Sequence, residues 1–163
     1  PIPMLQLHNH ILCNTFSLLT NTNNKAGRLM AIDYGLKRVG LAVTDNMQVI
    51  ATRLATVPTV DIFPYLKDYM SREQIEAIVV GDPKQLDNTP SESAKSVHLF
   101  VDELGQQFPD IDIYMIDERF TSKIASQTIA KSGKTKKAKQ DKGLIDTIAA
   151  VLILQDFMKM NKI

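Results

Sequence analysis

Three carboxylate positions carry the chemistry this chain is capable of. Asp33 closes the apolar run Leu29 to Ile32, and Gly35, the cations Lys37 and Arg38, and Gly40 follow it. Asp117 and Glu118 close a second run, Ile111 to Ile116, with Arg119 directly after them. Asp146 stands in Leu144-Ile-Asp-Thr-Ile-Ala-Ala-Val-Leu-Ile-Leu154, which is apolar almost throughout. A carboxylate at the end of a buried strand or in an apolar helix is costly unless a cation or hydrogen-bond donor meets it. Carboxylates gathered together repel unless they share protons or bind cations. With oxygen ligands only, the hard divalent ions Mg²⁺ and Mn²⁺ are the natural partners. Two such ions, roughly 4 Å apart, can activate a water and stabilise the leaving oxygen of a phosphodiester. Each acid alone has an ordinary explanation: a turn aspartate, a surface ion pair, a partner for a helix dipole. The chemistry therefore depends on whether the fold brings them together.

The pattern of the chain predicts that it does. Arg28 to Asp45 reads as strand, tight turn, strand, with glycines where a ligand or another backbone can approach. Alternation over Gln48 to Val57 predicts a third strand. Ile62, Phe63, Leu66, Tyr69 and Met70 fall at helical spacing in a segment from Asp61 to Gln74. Glu76 to Gly81 is a short strand apolar on both faces, hence central and parallel. A helix starting at Ser91 carries Val97, Phe100, Val101, Leu104 and Phe108 on one face. Ile111 to Ile116 is the fifth strand. Thr121 or Ser122 caps a helix reaching about Lys131. The last helix runs from about Gly143 to Met160, with Asp146 in its first turn and small residues, Ala149 and Ala150, on the same face.

The fold class is therefore α/β. One mixed five-stranded sheet is expected, a three-strand antiparallel meander plus two parallel strands, with helices on both faces. If the first and fourth strands are neighbours and the fifth is next, the acid-bearing ends converge at one edge, where open α/β sheets bind ligands.

Composition bounds the rest. The 163 residues suit one domain, 28–163, behind an N-terminal extension, 1–27, of polar low-complexity character. Net charge is +1, so a nucleic-acid surface requires local segregation of charge. Lys131 to Lys142 supplies it, with six lysines against one aspartate just before Asp146. The single cysteine, Cys13, excludes an intramolecular disulfide and suits a reducing cytoplasm. His8, His10 and Cys13 match no complete zinc site. Neither Lys nor Arg precedes Lys25, which argues against a secretory signal. No apolar run approaches the ~20 residues of a membrane span. Aromatic content of 6%, with no tryptophan, points to backbone recognition rather than base stacking.

Four motifs then carry a resemblance. They are Asp33-Tyr-Gly-Leu-Lys-Arg38-Val-Gly40-Leu-Ala, Val80-Gly-Asp-Pro83, Asp117-Glu-Arg-Phe-Thr-Ser122 and Lys142-Gly-Leu-Ile-Asp146-Thr-Ile-Ala-Ala150. In this order and spacing the chain resembles, from about Arg28 to Phe157, the YqgF/RuvX family, known as pre-16S rRNA nuclease or Holliday junction resolvase-like.

The resemblance implies an RNase H-like fold and a bacterial cytoplasmic, Mg²⁺- or Mn²⁺-dependent endonuclease that matures the 5′ end of precursor 16S rRNA. It implies Asp33, Glu118 and Asp146 as the catalytic, metal-binding acids. Lys37, Arg38, Arg119, Lys134, Lys136, Lys137, Lys139 and Lys142 are the expected nucleic-acid contacts. The pre-ribosomal small subunit is a further expected partner, and the chain acts as a monomer or weak homodimer. The alternatives are a junction resolvase on DNA, which needs two active sites in a dimer, and a non-catalytic RNA- or ribosome-associated factor. The hairpin also resembles the phosphate hairpin of actin-like kinases, but the chain is too short for their two domains. Two features depart from the family pattern. One is the extension. The other is Asp82, usually an apolar position, which is expected to cap the following turn rather than join a metal cluster.

Overall fold

A computed structural model of the chain describes residues 27–83, 92–117 and 142–161. Its strands are β1 (Arg28–Tyr34), β2 (Arg38–Thr44), β3 (Ala51–Pro58), β4 (Ile75–Asp82) and β5 (Asp112–Asp117). Its helices are α1 (Ile62–Arg72), α2 (Glu92–Gln107) and α3 (Lys142–Met160), with a 3₁₀ turn, Thr59–Asp61, ahead of α1. The strands form one mixed sheet in the order β3-β2-β1-β4-β5. β1, β2 and β3 pair antiparallel, while β4 runs parallel to both β1 and β5. This is the topology expected from the pattern.

Residue size assigns the two faces of the sheet. Met30, Ile32, Leu41, Val43, Ile78 and Val80 point to one side, where they meet Ile62 and Leu66 of α1 and Val97, Phe100 and Leu104 of α2. The alternate positions Ala31, Ala42 and Ala77 are small, with Leu29 and Val79 among them, and they meet Ala150, Ile153 and Leu154 of α3. Bulky residues build a thick layer under two helices. Small ones let a single helix lie close to the strands. Each fully buried Leu or Ile here stabilises by roughly 1.5–3 kcal/mol relative to exposure.

Three boundaries and one burial pattern differ from the sequence expectation. β3 starts at Ala51, not Gln48. The Asp45 carboxylate accepts from the backbone N–H groups of Met47, Val49 and Ile50 at 3.1, 2.8 and 2.8 Å, which curls this stretch into a loop. Gln48 turns it with φ 56°. α1 begins at Ile62, and Asp61 makes no side-chain cap bond there. α3 starts at Lys142, so Asp146 is in its second turn rather than its first. Nor is α3 buried all round: Thr147, Ala149, Ala150, Ile153, Leu154, Phe157 and Met158 are buried, whereas Leu144, Ile145, Ile148, Val151 and Leu152 are partly exposed. Among the described residues, the sheet covers one side of it. The expected helix over 121–131 and most of the lysine run lie outside the described residues.

Candidate active site

The site is built where β1, β2 and α3 meet. Along β1, Leu29 and Ala31 face α3, and the same alternation carries Asp33 to that side. Gly40 is the register partner of Asp33 across the β1–β2 ladder. A Cβ on Gly40 would lie 2.2 Å from the carbonyl oxygen of Asp146 and 3.0 Å from its Cβ. Only glycine allows that approach, so α3 rests directly on the β2 backbone at this point. Asp33, Gly40 and Asp146 therefore lie in a row, with the two carboxylates on one face of the sheet. Burial first, and then the charge of Asp146, push the Asp33 carboxyl from 3.8 up to about 7.

Asp146 has a cation on it. Arg38 Nε donates to Asp146 Oδ2 at 3.0 Å, with the two side chains 39% and 23% exposed. The backbone carrying Arg38 is fixed by the β1–β2 turn. The Gly35 N–H donates to the Arg38 carbonyl at 3.0 Å, and a Cβ on Gly35 would come within 2.6 Å of that oxygen. The Thr59 hydroxyl donates to the Gly35 carbonyl at 2.6 Å, and the Thr59 N–H to the Lys37 carbonyl at 3.2 Å. At the start of α3, the Thr56 hydroxyl donates to the Gly143 carbonyl at 2.7 Å, which ties the helix to the edge strand. Behind the site, Tyr34 stacks on Phe100 with ring centroids 4.4 Å apart, locking the end of β1 to α2.

The other predicted positions divide. Asp82 and Asp117 are register partners at the ends of β4 and β5. They fall on the opposite face of the sheet: Asp82 Oδ1 lies 3.4 Å from His98 Nε2 on α2, and Ile78 and Val80 share its side. Tyr114 and Ile116 of β5 face α3 instead. Lys142 is exposed at the start of α3, and Lys37 is exposed in the β1–β2 turn. Glu118, Arg119, Lys134, Lys136, Lys137 and Lys139 lie outside the described residues. Among the described residues, no group of three or more His, Cys, Asp or Glu is arranged to hold a metal ion. The pair that is brought together still fits a hard divalent cation. Both donors are carboxylates, and one is dehydrated enough that a cation would relieve it.

A family model described as "Holliday junction resolvase" matches residues 27–160. The chain belongs to the RuvX family. RuvX relatives named "Putative pre-16S rRNA nuclease" include one from Flavobacterium johnsoniae, 49% identical over 83% of this chain and 98% of its own. Another, from Parabacteroides distasonis, is 48% identical over 83% of this chain and 97% of its own. Among solved structures, RuvC of Thermus thermophilus superposes with a TM-score of 0.52 at 15% identity, covering 82% of this chain and 96% of that one. The same protein with a Holliday junction substrate gives 0.50 at 16% identity, over 83% and 96%. These fix the fold of the RuvX chain as that of RuvC, RNase H-like.

Against the sequence reading, the RuvX site adds two positioning contacts. Arg38, expected to contact phosphate, also donates to Asp146. Thr56, unmarked by any motif, anchors the helix that carries Asp146. A threonine at a half-exposed edge-strand position gave no signal that a helix carbonyl would meet it.

Proposed function

We propose that this RuvX-family protein is a divalent-metal-dependent endonuclease that hydrolyses phosphodiester bonds and matures the 5′ end of precursor 16S rRNA. The observation that carries the reading is the row Asp33–Gly40–Asp146, which sets two carboxylates side by side with one of them dehydrated. Two residues beyond Ile116, a position on the α3 side of β5, the sequence has Glu118. Asp33, Asp146 and Glu118 are the acids we assign to Mg²⁺ or Mn²⁺. When bound, such ions activate a water and stabilise the leaving oxygen.

The chain's own residues do the remainder. Gly40 and Thr56 hold Asp146 against β2, and the Gly35–Arg38 turn fixes the strand end. Lys37, Arg38, Arg119, Lys134, Lys136, Lys137, Lys139 and Lys142 contact phosphates, which aligns the backbone without reading bases. The relatives' names support precursor rRNA as the substrate. The reading places the protein in the cytoplasm, on the pre-ribosomal small subunit, as a monomer or weak homodimer. No helix among the described residues is long and apolar enough to cross a membrane.

The test is cleavage of a precursor 16S rRNA 5′ fragment and, separately, of a four-way DNA junction, each with Mg²⁺, with Mn²⁺ and with chelator. Metal-dependent cleavage of the RNA that disappears in Asp146→Asn is the expected result. Cleavage of the junction alone would move the assignment to DNA, as the family's description suggests. Tight RNA binding without cleavage, unchanged in the variant, would leave a non-catalytic factor.

A further inference from the structure

We propose that Arg38 is a resident counter-ion: it holds Asp146 in the metal-free protein, gives that carboxylate up when a divalent ion binds, and then takes a substrate phosphate. The inference rests on the metal reading above and deepens it. Asp146 Oδ2 accepts from Arg38 Nε at 3.0 Å, so the guanidinium holds one oxygen of the carboxylate that a metal would use. A guanidinium and a divalent ion on one carboxylate, beside Asp33, would hold like charges within a few ångströms. Their repulsion favours release of one of them, and Arg38, 39% exposed, can turn out to solvent.

Its departure is a side-chain movement only. The Arg38 carbonyl is held by the Gly35 N–H at 3.0 Å, and Thr59 clamps both Gly35 and Lys37. The released guanidinium therefore stays at the same strand end, within a side chain's reach of the acids. A planar fork of N–H donors suits a phosphate better than a single carboxylate oxygen. Metal and nucleic acid then strengthen each other's binding through one residue, and linkage makes that gain reciprocal. Asp33 lies on the same face, and no guanidinium engages it among the described residues. The exchange is therefore local to Asp146.

The experiment measures binding, not turnover. Mn²⁺ affinity is determined by calorimetry for the full chain and for Arg38→Gln, Arg38→Lys and Asp146→Asn. Affinity for a precursor 16S rRNA 5′ fragment is then measured in chelator and in Ca²⁺, which takes the same oxygen ligands. With the competitor removed, Arg38→Gln is expected to bind Mn²⁺ on the order of fivefold more tightly, the worth of a half-exposed ion pair. It should also lose the gain in RNA affinity that Ca²⁺ gives the wild type. Arg38→Lys keeps a charge and carries the comparison if the glutamine variant is unfolded by circular dichroism. Its Mn²⁺ affinity should stay near wild type while its RNA gain falls. Equal or weaker Mn²⁺ binding by Arg38→Gln, or an undiminished RNA gain, overturns the exchange while leaving the metal site intact. Wild type and Asp146→Asn binding Mn²⁺ equally, or not at all, overturns the metal reading and the exchange with it.

Discussion

Asp33 is the residue whose chemistry the surroundings alter most. Burial and the neighbouring Asp146 charge raise its carboxyl to about 7. A carboxyl raised in the folded state binds its proton more tightly there than in the unfolded chain. The stability it contributes is complete below about pH 4, its unfolded range, and is lost as pH rises toward 7. Asp33→Asn carries no such loss. In chelator, the variant should therefore gain on the wild type in urea unfolding, with a gap that widens from pH 5 to pH 7 and levels off above it. The full gap is of order 2–4 kcal/mol. A constant gap across this range would mean that Asp33 is solvated and titrates in the ordinary carboxylate range. The same proton competes with metal, so Mn²⁺ binding by the wild type should strengthen between pH 6 and pH 8 with proton release.

At the scale of elements, the site depends on how closely α3 lies on β2. Gly40→Ala places a methyl 2.2 Å from the Asp146 carbonyl, and a helix backbone cannot yield as a side-chain tip can. The helix must lift, which also strains the Thr56 bond to Gly143. We expect a loss of roughly 1–3 kcal/mol, the usual cost of overpacking. Mn²⁺ affinity should fall with it, because Asp146 moves away from Asp33. A variant that keeps its melting temperature and its Mn²⁺ affinity would show that the close approach does not matter.

This packing was half legible in the sequence. The β1–β2 hairpin, the parallel pair and the small residues Ala149 and Ala150 all announced a helix held close to a sheet. So did Gly40, read as a position where another backbone can approach. Alternation along β4 and β5 also separates Asp82 and Asp117 from Asp33, once the register is known. What the sequence could not supply were contacts between residues far apart in the chain. Arg38 and Asp146 are 108 positions apart. The loop before β3 escaped for a different reason. The apolar alternation runs on through Val49 and Ile50, while the deciding bonds come from a single side chain, Asp45.

For the whole molecule, a net charge of +1 gives no long-range pull on a polyanion. Attraction must come from segregation, and Lys134, Lys136, Lys137, Lys139 and Lys142 concentrate it just ahead of the helix that carries Asp146. Lys142 is exposed at that helix's first residue, so charge is available where α3 meets the strand ends. A solvated solubility loop would have the same composition. The two differ in salt dependence. Each phosphate contact releases about 0.7–0.9 counterion, so replacing five contacting lysines by glutamine should lower the slope of log affinity against log salt by roughly four. The loss of affinity should be large at low salt and small at high salt, and it should not depend on RNA sequence, because phosphate contacts read none. Urea unfolding should change little, since lysine side chains seldom contribute to a core. A slope unchanged in the five-lysine variant would assign the run to solubility. The expected contacts would then reduce to Lys37, Arg38 and Arg119, too few to bind RNA at physiological salt without the acids and their metal.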